Sequence, residues 1–384
     1  MLKAHDSVDK EASPSPRQPI SWRLSDTGGL CPGCLWQRGD RRMTTRVLIV
    51  GAGAIGGVTA ARLSRAGCNI TVLDAHAEHV RLMCSPGLRF DELGTESQIV
   101  IDAVSSADQL TGTFDYALVY LKAPFIEVAL APLLERNLAT NYVSFGNGLV
   151  QQSVTDVVGP ERLIIGIVEW GATNLGPGHV RQTTVAPFVI GEVDGTITDR
   201  LVKLGEVLEN AADVRLSSAI YGQVWAKLLL NSTFSGLGAI TGMVYADVME
   251  QPDGHDIAFA MWTEGHAVAT ALGIELDDVA GVHADRLVVR RPENVPQAEE
   301  ALTQLMARLG PTKASMLQDL ERGASTEVDV INGGVVREAH DVGLPAPLNQ
   351  CIVDIVHACE AGTRTPGPDN LDDLRALLNQ THTH

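Results

Sequence analysis

Arg46-Val-Leu-Ile-Val50 runs straight into Gly51-Ala-Gly-Ala-Ile-Gly56, and this junction constrains the chain more than any other stretch. A short β-branched apolar run reads as a strand buried on both faces. Glycines 51, 53 and 56 follow in G-x-G-x-x-G spacing, and Val58–Ala66 reads as a helix with Leu63 inward. Gly51 permits the tight turn, Gly53 leaves room for a pyrophosphate, and Gly56 lets the helix lie close to the strand. The phosphates would sit at the helix N-terminus, next to Ala54 and Ile55, where free N–H groups and the positive end of the helix dipole favour negative charge. A second strand, Asn69–Leu73, ends at Asp74. Strand, glycine turn, helix, strand and acid together predict a dinucleotide site held by Gly51, Gly53, Ala54, Ile55, Gly56 and Asp74.

From residue 44 to about 216 the pattern alternates between strand and helix. Helices are expected near Glu78–Cys84, Pro124–Leu134 and Arg200–Asn210. Strands are expected at Leu88–Phe90, Ile99–Ala103, Asp115–Tyr120, Tyr142–Phe145, Leu163–Glu169, Val185–Gly191 and Val214–Leu216, with a Gly176-Pro-Gly178 turn. This is a doubly wound parallel sheet, in which ligands bind beyond the carboxyl ends of the strands. Gly51, Asp74, Lys122 and Asn147 all stand at such ends and are expected along one crevice. From Ser217 the strand-like runs stop and helical periods take over, so residues 217–384 form an all-α second domain.

Residues 1–43 are polar and lack a sustained period, and they read as a disordered extension. They hold no apolar core of a secretory signal, and Met43 is a candidate translation start. Cys31-Pro-Gly-Cys34 is a turn in that tail, because no second ligand pair follows at zinc spacing and no redox context surrounds it. His382 and His384 belong to a frayed end, and no metal site is expected. Lys and Arg number 29 against 47 Asp and Glu, a formal charge of −18, which argues against nucleic acid and anionic membranes as partners. No apolar run reaches membrane-spanning length, and the scattered cysteines fit a reduced, cytoplasmic location. The apolar stretch Ile257–Leu272 exceeds what a small core needs, which makes a homodimer the expected assembly.

Lys227 and Asn231 are four residues apart on one helical face, among Trp225, Leu228, Leu229 and Leu230. Two readings stand: a lysine whose ammonium snorkels to water, or a desolvated ammonium aimed into a cleft between domains. Ser315–Leu320 reads as a helix stopped at Gly323. Thr326-Glu-Val-Asp329 fits a capping box opening the next helix, with Glu327 serving the helix dipole in its first turn. Asn332-Gly333-Gly334, one turn on, would let another backbone approach closely.

Gly51-Ala-Gly-Ala-Ile-Gly56, Leu121-Lys122, Asn147-Gly148, Gly176-Pro-Gly178, Trp225-Ala-Lys-Leu228 with Asn231, Ser315-Met-Leu-Gln-Asp319 and Thr326-Glu-Val-Asp-Val-Ile-Asn-Gly333 occur in this order. The set resembles the ketopantoate reductases across nearly all of residues 44–370. The resemblance implies an N-terminal Rossmann domain and a helical C-terminal domain like that of 6-phosphogluconate dehydrogenase. It also implies reduction of 2-dehydropantoate to pantoate by NADPH, on the route to pantothenate. By resemblance Lys227 matches the catalytic lysine and Glu327 the active-site glutamate. Asn147, Asn231 and Ser315 match substrate-contacting positions, and Lys122 a cofactor-contacting one, with Asn147 also at the cofactor's strand end. Two positions depart from the family. Ser235 stands where a second asparagine is common, which permits a different 2-oxo acid or small ketone as substrate. Asp74 pairs with a ribose 2′-hydroxyl and repels a 2′-phosphate, favouring NAD(H) where the family favours NADP(H), and Arg81 stands a full helical turn or more further on. A protein that senses NAD(P) without turnover is a third reading, opposed by the presence of both Lys227 and Glu327.

Overall fold

Val47 and Ile49 of strand β1 (Arg46–Val50) pack into one apolar layer while Leu48 and Val50 pack into another, so the strand is covered on both faces. A computed structural model describes residues 45–381; Cys31, Cys34, Met43, His382 and His384 lie outside the described residues. Helix α1 (Ala54–Arg65) begins directly after Gly53, four residues earlier than its apolar pattern indicates. It takes in Gly56 and Gly57 despite their poor helix propensity, because both are packed too closely for a side chain. Strand β2 (Asn69–Leu73) and helix α2 (Ala77–Leu82) follow. Strand β3 (Leu88–Glu92), β4 (Thr95–Ile99) and β5 (Ala103–Val104) come next, then β6 (Phe114–Val119), α3 (Ile126–Glu135), β7 (Ala139–Ser144), α4 (Gln151–Val158) and β8 (Leu163–Val168). A hairpin of β9 (Ala172–Gly176) and β10 (His179–Gln182) leads to β11 (Phe188–Glu192), α5 (Asp199–Leu208) and β12 (Val214–Leu216).

The main sheet has eight strands in the order β12-β11-β8-β7-β6-β1-β2-β5. All neighbours are parallel except β8 and β11, where Phe188 opposes Val168 in an antiparallel ladder. The chain runs outward from β1 on one side and from β6 on the other, so the crevice opens where these two strands adjoin.

The expected strand at Ile99–Ala103 is divided. Its first residue ends β4, paired antiparallel with β3 in a separate sheet of order β4-β3-β10-β9, while Ala103 joins the edge of the main sheet. Val100 between them is 63% exposed, since there the chain leaves one sheet for the other. Helix α4 and the hairpin were not expected from periodicity. The hairpin carries the small sheet onto α1, where a side chain at Gly57 would meet Val180 at 2.8 Å.

Beyond β12 the chain is helical apart from a two-residue ladder at Asp278–Val279 and Val282–His283. Helix α6 (Ile220–Leu230) passes through a π-type turn, Asn231–Ser235, into α7 (Gly236–Thr241). Then come α8 (Tyr245–Met249), α9 (Gly254–Ala271), α10 (Val295–Leu309), α11 (Ser315–Glu321), α12 (Asn332–Asp341), α13 (Pro347–Glu360) and α14 (Leu371–Thr381). The apolar residues of α9 that prompted the expectation of a second copy, among them Ile257, Met261, Trp262 and Val268, pack into this lobe's own core. Helix α6 explains its unusual composition by serving two cores at once. Ile220 and Val224 join the layer under the sheet, and Trp225, Leu228 and Leu229 join the helical core.

Candidate active site

Gly51 adopts φ +89°, a left-handed conformation that side chains disfavour. A Cβ on Gly56 would stand 2.0 Å from the Gly51 carbonyl oxygen, whereas a Cβ on Gly53 would meet nothing within 4 Å. The turn is thus tight where the helix crosses it and open where α1 presents its N-terminus, which has no side-chain cap. These residues fit a pyrophosphate. Asp74 fixes the turn from behind. Its Oδ2 accepts from the Ala52 N–H at 2.7 Å and its Oδ1 from the His76 N–H at 2.9 Å.

His79 was not singled out from the sequence. It is buried, its Nδ1 accepts from the Gly178 N–H at 2.7 Å, and its other ring nitrogen lies 2.8 Å from the Ala52 carbonyl. Because Nδ1 accepts, the ring proton sits on Nε2 and is donated to Ala52. One imidazole therefore ties the first glycine turn to the Gly176-Pro-Gly178 turn. In a His79→Phe protein both backbone groups lose their partner, at about 1–3 kcal/mol each. Urea unfolding should show that loss, together with weakened dinucleotide affinity.

Lys122, just past β6, reaches across to the helical lobe. Its ammonium donates to Asp319 Oδ2 and to the Ser325 carbonyl, both at 2.8 Å. Asp319 is on α11, and Ser315 stands one turn before it at the exposed start of that helix. Asn147, after β7, donates from Nδ2 to Glu327 Oε2 at 3.0 Å. The neighbouring Leu149 N–H donates to the Val330 carbonyl at 2.8 Å. It is Gly148 that allows this approach, since a Cβ there would lie 2.2 Å from the Val330 oxygen. Gly334, expected to let a backbone in, instead seats the Leu149 side chain at 3.4 Å.

Glu327 does not lie in the first turn of a helix. Helix α12 starts at Asn332, and Thr326–Ile331 form a turn ahead of it. The capping box fails because its groups are engaged elsewhere: the Thr326 hydroxyl accepts from the Val328 N–H at 3.2 Å, the Thr326 N–H donates to Glu360 Oε1 at 2.6 Å, and the Asp329 carboxylate lies 3.0 Å from His357 Nε2. Freed from the helix, Glu327 is buried beside Lys227, Lys122 and Asp319. Burial raises its pKa, opposed by the Asn147 hydrogen bond and by the Lys122 and Lys227 charges.

Lys227 donates to the Val168 carbonyl at the carboxyl end of β8, 3.1 Å away. Its pKa is lowered by burial, against the raising effects of Glu327 and Glu169. On both Lys227 and Glu327 desolvation outweighs the charge attraction. Of the two readings open for Lys227, the ammonium turned inward is the one realised. Asn231 follows one turn on, and its Oδ1 accepts from Ser235 Oγ at 3.3 Å. Ser235 is only 3% exposed and also shares a 2.5 Å hydrogen bond with the Tyr245 hydroxyl, so it braces Asn231 from within the helical lobe.

Lys122, Asn147, Lys227 and Glu327, spread over more than 200 positions of sequence, thus meet at one mouth of the sheet. Sequence reading missed His79, Asp319, Glu169 and the Val168 carbonyl. Asp319 stood inside a recognised motif, but its partner on another lobe carried no local signal. Among the described residues no group of three or more His, Cys, Asp or Glu side chains is placed to hold a metal ion, and no helix is long and apolar enough to cross a membrane.

Residues 47–195 match the family model described as ketopantoate reductase PanE/ApbA, and residues 219–360 match the model of its C-terminal part. A 2-dehydropantoate 2-reductase of Mesorhizobium japonicum is 28% identical over 337 residues, covering 81% of this chain and 96% of its own. A solved PanE/ApbA family ketopantoate reductase from Ralstonia eutropha JMP134 superimposes with a TM-score of 0.71 at 26% identity, over 83% of this chain and 99% of its own. D-mandelate dehydrogenase, solved with NADH and anilino(oxo)acetate, shares the fold with a TM-score of 0.71 at 23% identity and the same coverage. With motifs, fold and both family models in agreement, the chain belongs to the ketopantoate reductase family of oxidoreductases.

Proposed function

We propose that the protein reduces the ketone of a 2-oxo acid, 2-dehydropantoate in the first instance, with a reduced nicotinamide dinucleotide. The observation that carries this is the Lys227 ammonium, held at the carboxyl end of β8 on the same sheet edge as the glycine turn, with Glu327 and Asn147 beside it. The glycine turn, with the Ala54 and Ile55 N–H groups at the start of α1, holds the pyrophosphate. Asp74 takes the ribose, and Lys122 and Asn147 line the path toward the nicotinamide end. The nicotinamide, when bound, supplies hydride. Lys227 stabilises the negative charge that develops on the ketone oxygen and delivers a proton to it. Glu327 orients Lys227 and accepts from a substrate hydroxyl. Asn231 and Ser315 donate to the carboxylate without adding charge to the site.

Asp74 directs the cofactor choice. Its carboxylate is fixed by two backbone N–H groups at the end of β2, where a 2′-phosphate would approach. NADH is therefore the expected partner. A second reading, the same chemistry on a different 2-oxo acid, is supported by Ser235, whose short side chain is occupied with Asn231 and Tyr245. We read the protein as cytoplasmic, consistent with four free thiols among the described residues; with the α9 apolar residues taken up by the lobe's own core, the homodimer has no support from that helix, and light scattering decides the assembly.

A panel of 2-oxo acids, each assayed with NADH and NADPH at equal concentration by loss of nicotinamide absorbance, tests the whole reading. Turnover of 2-dehydropantoate well above the rest supports the first substrate, and a different preferred acid supports the second. Cofactor binding with no oxidation refutes both. A strong preference for NADPH refutes the role given to Asp74.

A further inference from the structure

A buried line of side chains runs through the helical lobe and ends on both turns that carry the substrate-facing groups. It starts at Glu264 on α9. Glu264 Oε1 accepts from the Asn349 N–H at 2.9 Å and from Asn349 Nδ2 at 2.8 Å, while Oε2 accepts from the Leu348 N–H at 3.1 Å. Asn349 Oδ1 then accepts from Asn332 Nδ2 at 2.9 Å, and the same Nδ2 donates its other hydrogen to the Ser232 carbonyl at 2.8 Å. Asn332 and Asn349 are both 0% exposed. Ser232 follows Asn231 in the π-type turn, and Asn332 opens α12 immediately after the turn that carries Glu327.

A single amide group therefore bonds directly to the turn that carries Asn231 and sits at the end of the turn that carries Glu327. Its geometry is enforced from three sides. Asn349 holds it from α13. Glu264 holds Asn349 from α9, so the orientation of both amides is set by a carboxylate. Gly236, the first residue of α7, leaves the space it occupies: a Cβ there would stand 3.2 Å from Asn332 Nδ2 and 3.3 Å from Asn332 Oδ1. Stability alone does not call for this arrangement, because apolar side chains of the same volume serve a core at least as well as a buried polar network. A buried network does specify one geometry over its near neighbours.

We propose that Asn332, Asn349 and Glu264 are positioning residues that set the separation of Asn231 from Glu327 and thereby govern affinity for the 2-oxo acid, leaving cofactor binding untouched. The inference rests on the reading of Asn231 and Glu327 as groups that face the substrate. The hydrogen bonds of the three side chains run to one another, to the Ser232 carbonyl and to the Leu348 and Asn349 N–H groups, not to the glycine turn, Asp74 or Lys122, so their influence falls on the side of the 2-oxo acid.

The test measures kcat, KM for the 2-oxo acid, KM for the reduced cofactor and thermal midpoint for the full chain and for Asn332→Leu, Gly236→Ala and Glu264→Gln. Asn332→Leu removes the amide, and Gly236→Ala keeps every polar group but crowds it. Glu264→Gln is the milder variant: its amide oxygen still accepts from both Asn349 groups, and only the Leu348 N–H, which would face the amide nitrogen, loses its acceptor. Asn332→Leu and Gly236→Ala should each raise the KM for the 2-oxo acid about tenfold or more, as displaced contact groups do. The KM for cofactor should stay within about twofold. Glu264→Gln should retain most of the parent's affinity. Lowered thermal midpoints with an unchanged KM for the 2-oxo acid would overturn the proposal, as would equal increases in both KM values. Should Asn332→Leu fail to fold, Gly236→Ala decides by the same two criteria. A parent protein that binds cofactor yet reduces no 2-oxo acid overturns this inference together with the functional reading, and is recognised without any variant.

Discussion

Lys227→Ala should lower kcat by about 10²–10⁴-fold, the range associated with loss of a positioned proton donor and of oxyanion stabilisation. Dinucleotide affinity should change less than about twofold, because binding energy that is equal in ground and transition states is untouched. The two quantities separate in a fluorescence titration of reduced cofactor set beside steady-state turnover. The pH dependence sharpens the expectation. Lys227 must carry its proton to act as an acid, and burial lowers its pKa from the ordinary lysine value. Activity is therefore full below that depressed pKa and is lost as pH rises through it, so the alkaline limb of kcat lies below the ordinary lysine range. Glu327 raises the lysine's pKa by its charge. Glu327→Gln should consequently shift the alkaline limb to still lower pH, in addition to any loss of rate. A limb that stays in place in Glu327→Gln, or a Lys227→Ala enzyme with unchanged kcat, would remove the pair from the chemistry.

The second large effect belongs to two glycines three residues apart. Gly53→Ala should fold normally, since the added Cβ meets nothing within 4 Å and φ is −60°. If the open space beside Gly53 is where the pyrophosphate lies, that methyl group occupies it, and affinity should fall by about tenfold or more, or at least about 1.4 kcal/mol. Gly56→Ala places its Cβ 2.0 Å from the Gly51 carbonyl oxygen, a backbone atom that cannot swing aside. Helix α1 must move off β1, so stability and affinity should fall together, with overpacking costs of about 1–3 kcal/mol. Thermal midpoints and cofactor titrations on both proteins tell the two cases apart. Normal binding by folded Gly53→Ala would place the phosphates elsewhere.

How much was legible beforehand follows the range of the forces involved. In the first unit both strands, β1 and β2, were read to the residue and only the start of α1 was misplaced, by four residues, because strand, turn and helix are local and the glycine spacing carries its own mechanics. The family model confirms the assignment that the ordered motifs gave. The split of Ile99–Ala103 between two sheets was not readable, because the choice of sheet depends on where β10 lies, some 80 residues on. The capping box at Thr326 was a sound local inference overridden by two distant partners, Glu360 on the Thr326 N–H and His357 beside the Asp329 carboxylate. Lys227 could not be resolved from composition, since snorkelling and burial leave the same apolar neighbours in sequence; only its bond to Val168, 59 positions earlier, decides. His79 carried no signal at all, because both of its partners are backbone groups.

The small sheet has a bearing on protein engineering. Segment 46–120 looks like a self-contained nucleotide module that could be exchanged between relatives to transplant coenzyme preference. Yet its first helix is sealed by Val180 against Gly57, and its turn is clamped to Gly178 through His79. A chimaera with its crossover after residue 120 would set a foreign helix against the resident hairpin. The unit that can be transplanted is discontinuous, and any graft must carry residues 172–182 along with it.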